Sequence, residues 1–154
     1  MKISVWRSML DADMNVRYWK YLTQRYVKRD RGFKIFLALT SSGTVAGWSI
    51  WNSIPLLWQI LSGLSAIIAI ISPILNYQKM IESISDLSGK WWELKTEYET
   101  FWRKAQKAID EKFEAEYCNV KIKENELTKK ETQLPQDMKL LKKCQKEVLH
   151  VRGL

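Results

Sequence analysis

The sequence predicts an all-α membrane protein, in which a two-helix transmembrane hairpin is joined to a long cytosolic, coiled-coil-like helical bundle and the chains assemble into a homo-oligomer. Two observations predict this fold class. All 25 basic and 17 acidic residues of the 154-residue chain, and its one histidine, lie outside the stretch Ile35 to Gln78. From Ile84 onward, apolar residues recur at alternating steps of three and four, which is the spacing of a helical seam.

Residues 1–34 predict a basic amphipathic helix on the cytosolic side, and we expect Gly32 to end or kink it. Apolar and aromatic residues recur there every four positions, at Trp6, Leu10, Met14, Tyr18, Leu22 and Tyr26. Six basic residues fill much of the remaining surface: Arg17, Lys20, Arg25, Lys28, Arg29 and Arg31. Such a helix is typical of an element that lies on anionic lipid. The mixture of arginine with Tyr and Trp equally suits a nucleotide, an oligonucleotide or another phosphate-bearing signal, and composition leaves both readings open.

The uncharged stretch predicts a hairpin over 35–77, with spans at 35–51 and 55–75. A bilayer core of about 30 Å needs roughly 20 apolar residues per helical crossing, and this stretch has enough for two. Pro55 suits the first turn of the second helix, and Trp48, Trp51 and Trp58 flank the turn where the headgroups would lie. A hairpin buried in a soluble bundle is the alternative, but the heavily charged remainder of the chain would have to cover it on all sides.

Basic residues flank the uncharged stretch on both sides, which predicts that both termini are cytoplasmic. In an oligomer, polar and apolar residues of the first span are candidates for the lining of a pore: Leu37, Thr40, Ser41, Thr44 and Val45. The alternative is that the hydroxyls bond the carbonyls of their own helix. Gly43 and Gly47 have the small-residue spacing at which membrane helices pack closely. Pro73 is expected to kink the second span near its end.

The seam residues after Ile84 predict one long cytosolic helix over 78–133, followed by an amphipathic helix over 136–152 after Pro135. Four seam residues are candidates for packing between copies: Trp91, Leu94, Tyr98 and Phe101. Large aromatic residues fit a tight two-stranded coil poorly, so packing against the N-terminal helix is the alternative. The seam fails after Ala108, and the apolar stripe shifts to Ile109, Phe113, Tyr117 and Val120. The last helix carries Leu141, Cys144, Val148 and Val151 on one face.

The sequence has no pattern that predicts catalysis, a metal site or a cofactor. It has a single histidine, no glycine-rich phosphate loop and no pair of carboxylates on an apolar face. Cys118 and Cys144 lie in charged segments that we place in the cytosol, where thiols stay reduced. We therefore expect a protein that is not an enzyme.

The layout resembles the SLATT-type two-transmembrane effectors of bacterial conflict systems. The resemblance rests on the stretch VRYWKYLTQRYVKRDRGFK, the uncharged hairpin and the seam helix from Ile84. It implies an oligomeric pore, a tetramer or larger, that depolarises an infected cell in abortive antiphage defence. It also implies a signal from a co-encoded nucleotidyltransferase, as in the Hailong-type antiphage effectors.

The leading hypothesis is therefore a pore in the membrane that is gated when a nucleotide or oligonucleotide reaches the basic cytosolic region. An adaptor or scaffold, in which the hairpin tethers a coiled coil without forming a pore, is the alternative. A holin-like lysis protein is a third hypothesis, which the long ordered cytosolic region disfavours.

Overall fold

The computed structural model describes residues 1–46, 55–107 and 109–153, and within them all side chains except those of 41–46, 55, 57, 58, 74 and 75. These ranges contain five α-helices and no strand, which confirms the all-α prediction. The helices are α1 (Lys2–Ala46), α2 (Pro55–Leu75), α3 (Tyr77–Lys107), α4 (Glu111–Glu131) and α5 (Met138–Val151).

The chain forms two compact units. The first, here called the bundle unit, comprises Met1–Thr23 and Ser83–Leu154. The second, here called the apolar unit, comprises Gln24–Glu82 and contains the second half of α1 together with α2. The two units differ in how far their apolar side chains are buried.

The bundle unit consists of four helices in which α1 runs parallel to α4 and antiparallel to α3 and α5. Trp6 of α1 packs on Trp102 of α3 at 4.9 Å between ring centroids, and Asp13 pairs further along with Lys95. The Tyr117 hydroxyl of α4 lies 2.9 Å from the Ser4 hydroxyl of α1. Nearer the C-terminal ends of both segments, Trp19 of α1 donates a hydrogen bond to Glu131 of α4. Tyr21 of α1 also donates a hydrogen bond to Glu147 of α5. The N-terminal half of α1 therefore contacts all three of the other helices in this unit and lies at its centre.

Helix α3 supplies seven apolar residues to the core, as many as α1. Its buried residues follow the seam that the sequence predicts: Ile84, Leu87, Trp91, Leu94, Tyr98, Phe101 and Ala105. Phe101 packs edge-on against Phe113 of α4 at 5.3 Å. These aromatic side chains are therefore buried inside one chain, where three other helices leave enough room for large rings.

The buried face of α1 differs from the predicted four-residue stripe. Trp6, Leu10 and Met14 are only half-buried, and the core residues are Val5, Met9, Ala12, Val16, Tyr18, Trp19 and Leu22. A strict four-residue repeat drifts by about 40° per step around a helix with 3.6 residues per turn. Mixed steps of three and four keep residues on one face, so the true core stripe contains small and β-branched residues that the aromatic pattern obscured.

Two predicted helix boundaries also differ from the structure. Gly32 does not break α1, which is consistent with the modest cost of about 1 kcal/mol for a glycine inside a helix. The single helix predicted over 78–133 is instead two helices, α3 and α4. The Asp110 side chain accepts a hydrogen bond from the Phe113 backbone N–H at 2.7 Å and thereby caps the start of α4.

The boundary predicted at Pro135 lies in the connection between α4 and α5. Asp137 caps α5 by accepting hydrogen bonds from the backbone N–H groups of Lys139 and Leu140, each at 3.0 Å. The buried residues of α5 are Leu140, Cys144 and Val148, whereas Val151 is exposed. This helix therefore contributes a narrower apolar face than α3.

In the apolar unit, none of the side chains that the structure describes is fully buried. Large apolar side chains are instead exposed on both helices: Ile35, Leu39, Leu56, Ile60, Leu64, Ile67, Ile70 and Ile71. Tyr77 contacts Tyr26 and Phe33 at centroid distances of 5.9 and 5.7 Å. The helix predicted to kink at Pro73 continues to Leu75, and the break falls at Asn76, whose φ is 40°.

Within the part of the chain that the structure describes, no single helix is both long enough and apolar enough to cross a membrane. Gln59–Pro73 and Tyr77–Lys107 meet the requirement only as a pair, bent by 48° relative to each other.

The neighbouring residues Trp91 and Trp92 provide a test of the bundle core, because Trp91 is 2% exposed and Trp92 is 58% exposed. We expect Trp91→Ala to lower the free energy of unfolding by about 3–5 kcal/mol, since it leaves a large cavity. We expect Trp92→Ala to cost about 1 kcal/mol at most, since it removes only a surface ring and its contact with Lys95. Urea unfolding followed by circular dichroism measures both; equal losses would contradict this packing.

Candidate functional site

A groove on the bundle unit brings basic side chains from α1 and α3 together. Its volume is about 540 Å³. Arg17 and Lys20 come from α1, and Lys95 comes from α3. The other lining residues are Asp13, Val16, Tyr21, Ser85, Ser88, Gly89 and Trp92. Three cations and one carboxylate leave this groove, here called the cationic groove, with a net positive charge.

Asp13 lies at the base of the cationic groove and is only 3% exposed. Its Oδ1 atom accepts a hydrogen bond from Arg17 Nε at 3.3 Å and lies 3.3 Å from Lys95 Nζ. Burial opposes the ionised form of this carboxyl, but the charges of Lys95 and Arg17 outweigh it and lower the pKa of Asp13. Asp13 therefore stays ionised and holds both cations at the groove.

Aromatic and hydroxyl groups complete the lining. The exposed Trp92 ring lies 5.0 Å from Lys95 Nζ, and Tyr21 donates a hydrogen bond to Glu147 at 3.1 Å. Ser85 and Ser88 lie on the α3 wall, and no atom approaches within 4 Å of the position that a Cβ on Gly89 would take. The groove thus combines hydrogen-bond donors for an anion with aromatic faces on which a planar ring can stack.

The side chain of Lys20 is exposed and forms no ion pair with any of the described residues. Arg17 and Lys95, in contrast, already share the Asp13 carboxylate. An anion entering the groove would therefore meet one uncommitted ammonium group and two cations held close to it. The arrangement can bind an anion, but it contains no nucleophile paired with a base.

The structure divides the six predicted phosphate-binding residues between the two units. Arg17 and Lys20 line the cationic groove. Arg25, Lys28, Arg29 and Arg31 belong to the apolar unit, where Lys28, Arg29 and Arg31 are exposed. Two of the six predicted residues therefore line this groove.

The α3 side of the groove was missed in the sequence, although a signal was present. Ser85, Ser88, Trp92 and Lys95 recur at steps of three, four and three, one residue after the buried seam. This is a second helical face beside the core face. Without the position of α1, nothing in the sequence indicates that this face meets Arg17 and Lys20.

A larger groove, of about 770 Å³, lies between α3 and α4. Its cations are already neutralised, because Lys123 pairs with Glu97 at 2.7 Å and Lys104 pairs with Glu116 at 3.1 Å. Despite its size, the larger groove therefore has less positive charge available to bind an anion than the cationic groove has.

The candidates for pore lining are only partly described. Leu37 is half-buried, and the Thr40 hydroxyl donates to the carbonyl oxygens of Phe36 at 2.9 Å and Leu37 at 3.1 Å. Thr40 thus follows the alternative in which a hydroxyl bonds its own helix. Ser41, Gly43, Thr44 and Val45 belong to α1, but their side chains lie outside those described, and Gly47 lies outside the described residues altogether.

The four residues expected to pack between copies, Trp91, Leu94, Tyr98 and Phe101, are buried within one chain. Tyr98 and Phe101 pack against Tyr117 and Phe113 of α4 in the same chain. A partner chain would have to use other surfaces of the bundle unit.

Among the described residues, no group of three His, Cys, Asp or Glu side chains is placed to hold a metal ion. Cys118 and Cys144 are not bridged to each other. Comparison of the chain with protein-family models, with curated proteins and with solved structures found no match.

Lys20 and Lys28 provide a matched test of the cationic groove, since both are exposed lysines on α1 but only Lys20 lines the groove. We expect Lys20→Gln to weaken tripolyphosphate binding roughly tenfold, the size of one charge-assisted hydrogen bond. Lys28→Gln should leave the affinity unchanged. Isothermal titration calorimetry gives both constants, and an equal loss in the two variants would mean that the anion binds by diffuse charge rather than in the groove.

Proposed function

We propose that the chain is a non-enzymatic membrane effector whose apolar unit lies in a bacterial inner membrane, where copies assemble into a pore. In this proposal both termini are cytoplasmic, and an anionic signal received in the cationic groove controls the pore. The observation that carries the proposal is the exposed apolar surface of the apolar unit.

That surface supports a lipid environment because it is extensive and none of the described residues covers it. On α2 the exposed residues Leu56, Ile60, Leu64, Ile67 and Ile70 recur at steps of four, four, three and three, so they form one continuous stripe. Soluble monomers rarely expose contiguous apolar patches of such a size, and those that exist mark membrane or partner contacts. Here lipid and neighbouring copies would together cover it.

The absence of charge from α2 also supports the proposal. Its 21 residues include no charged side chain. Its segment Gln59–Pro73 meets the length and hydropathy requirement for a membrane crossing together with the helix that follows. The Ser65 hydroxyl donates to the Leu61 carbonyl oxygen at 2.9 Å within the same helix. A hydroxyl satisfied in this way does not need water, as lipid requires.

The charge distribution supports a sensing role for the bundle unit. An anionic signal needs desolvated or clustered cations, and the cationic groove places Arg17, Lys20 and Lys95 around one space. The exposed Lys28, Arg29 and Arg31 of the apolar unit suit the headgroups of anionic lipids. The basic residues of α1 would then serve two purposes, signal binding and membrane anchoring.

A membrane-anchored adaptor or scaffold without a pore is the second candidate function, and one observation favours it. The Thr40 hydroxyl is occupied by carbonyl oxygens of its own helix, which gives it no need of a water-filled path. In this alternative the apolar unit tethers the bundle unit, which recruits a partner.

Two isoleucines with almost the same exposure test the lipid contact. Ile67 on α2 is 54% exposed and Ile122 on α4 is 53% exposed. We expect Ile67→Lys to reduce membrane insertion, because a lysine at the centre of a membrane helix costs about 2.5–3.5 kcal/mol. Ile122→Lys should have no effect, since its side chain would already lie in water. Insertion is measured by membrane fractionation of cells that express each variant; equal insertion of the two would contradict the lipid contact.

Two threonines test the pore against the adaptor. The hydroxyls of Thr40 on α1 and Thr128 on α4 both bond a carbonyl of their own helix, but only Thr40 lies in the uncharged stretch. For a pore, we expect the triggered protein to depolarise cells, and Thr40→Lys to change the depolarisation at least severalfold while Thr128→Lys does not. A membrane-potential dye measures the depolarisation in each case. Cells that stay polarised under every condition would favour the adaptor.

A further inference from the structure

One carboxylate connects the cationic groove to the end of α5. Oδ1 of Asp13 faces Arg17 and Lys95, which line the groove. Its other oxygen, Oδ2, accepts a hydrogen bond from Arg152 Nη2 at 3.3 Å. Arg152 is the C-cap residue of α5, so a single buried group contributes both to the groove and to the docking of the last helix.

The docking of α5 depends strongly on polar contacts because its apolar face is narrow. Only Leu140, Cys144 and Val148 are buried in α5, compared with the seven core residues of α3. Apart from those of Arg152, its long-range polar contacts include the hydrogen bond from Tyr21 to Glu147 and the hydrogen bond from the backbone N–H of its N-cap residue Asp137 to the Tyr18 hydroxyl. A change at Arg152 therefore affects a considerable part of what holds α5 in place.

The guanidinium group of Arg152 has carboxylate partners, but not all of its donors are hydrogen-bonded. Its Nη2 atom lies 3.5 Å from Glu99 Oε1 in addition to its bond with Asp13. Its Nε atom is buried and has no hydrogen-bond partner among the described residues. A buried donor without an acceptor costs free energy. Added negative charge nearby would therefore stabilise Arg152 in its docked position.

We propose that an anion in the cationic groove tightens the docking of α5 through Asp13 and Arg152. The proposal rests on the proposed function, which makes the groove the site of the signal. The bound anion draws Arg17 and Lys95 toward itself and away from Asp13. Arg152 then becomes the main counterion of Asp13, and the negative charge of the ligand further stabilises it in its docked position.

The coupling is reciprocal, because two sites that influence each other's binding do so by the same factor. Arg152→Gln removes a positive charge behind Asp13, so the groove becomes less positive and binds the anion more weakly. Asp13→Asn removes the carboxylate that repels the anion, so anion binding becomes tighter, while α5 loses its partner and docks more weakly. Opposite effects of one substitution on the two sites distinguish this coupling from general destabilisation.

The thiol of Cys144 reports the docking of α5. It is 0% exposed in the docked helix, and burial raises the pKa of this thiol and slows its reaction. In the full-length Cys118→Ser protein, we expect saturating tripolyphosphate to slow maleimide labelling of Cys144 about fivefold, the lower end of common allosteric coupling. In Arg152→Gln and Asp13→Asn, labelling should be faster and should no longer respond to tripolyphosphate.

Arg103→Gln is the matched control, since Arg103 is an exposed arginine whose contacts stay within α3. It should label and respond like the Cys118→Ser parent. If tripolyphosphate binds in calorimetry but labelling does not change, the coupling is contradicted and the groove remains a binding site. If tripolyphosphate does not bind at all, the sensing part of the proposed function fails as well. If Asp13→Asn loses its helical circular dichroism signal, the labelling of Arg152→Gln with and without tripolyphosphate tests the coupling instead.

Discussion

The absence of Asp, Glu, Lys, Arg and His between Ile35 and Gln78 is the constraint on which the remaining features depend. A helix in water needs a polar face, and α2 has none that carries charge. The apolar unit consequently exposes isoleucine and leucine and buries none of its described side chains. All charge is confined to what flanks this stretch, and the bundle unit holds both its own core and the charged side chains of the cationic groove.

The bundle unit meets both demands with neighbouring faces of the same helices. The seam of α3 buries Trp91, Tyr98 and Phe101, and the adjacent face presents Lys95 to the groove. Buried ion pairs generally add little net stability, because desolvation offsets their attraction. The pairs of Asp13 with Arg17 and Lys95 are thus better explained by a role in holding charge at the groove than by a need for stability.

Local patterns predicted the bounds of α2 and α5 and the buried face of α3, because a seam of steps of three and four can only face one way. The α1 face was misassigned, since aromatic residues at four-residue spacing attracted more weight than Val5, Ala12 and Val16. The break before α4 depended on one cap, Asp110, in a polar segment. The cationic groove could not be predicted, because Arg17 and Lys95 are 78 positions apart and only the antiparallel packing of α1 and α3 brings them together.

Fractionation of the chain after cell lysis tests whether the apolar unit lies in lipid. Membranes are washed with alkaline carbonate, which removes peripheral proteins, and then collected by ultracentrifugation. We expect the protein to stay in the membrane pellet and to enter solution only when detergent is added. A chain that remains in the aqueous supernatant without detergent would contradict the lipid assignment, and with it the pore.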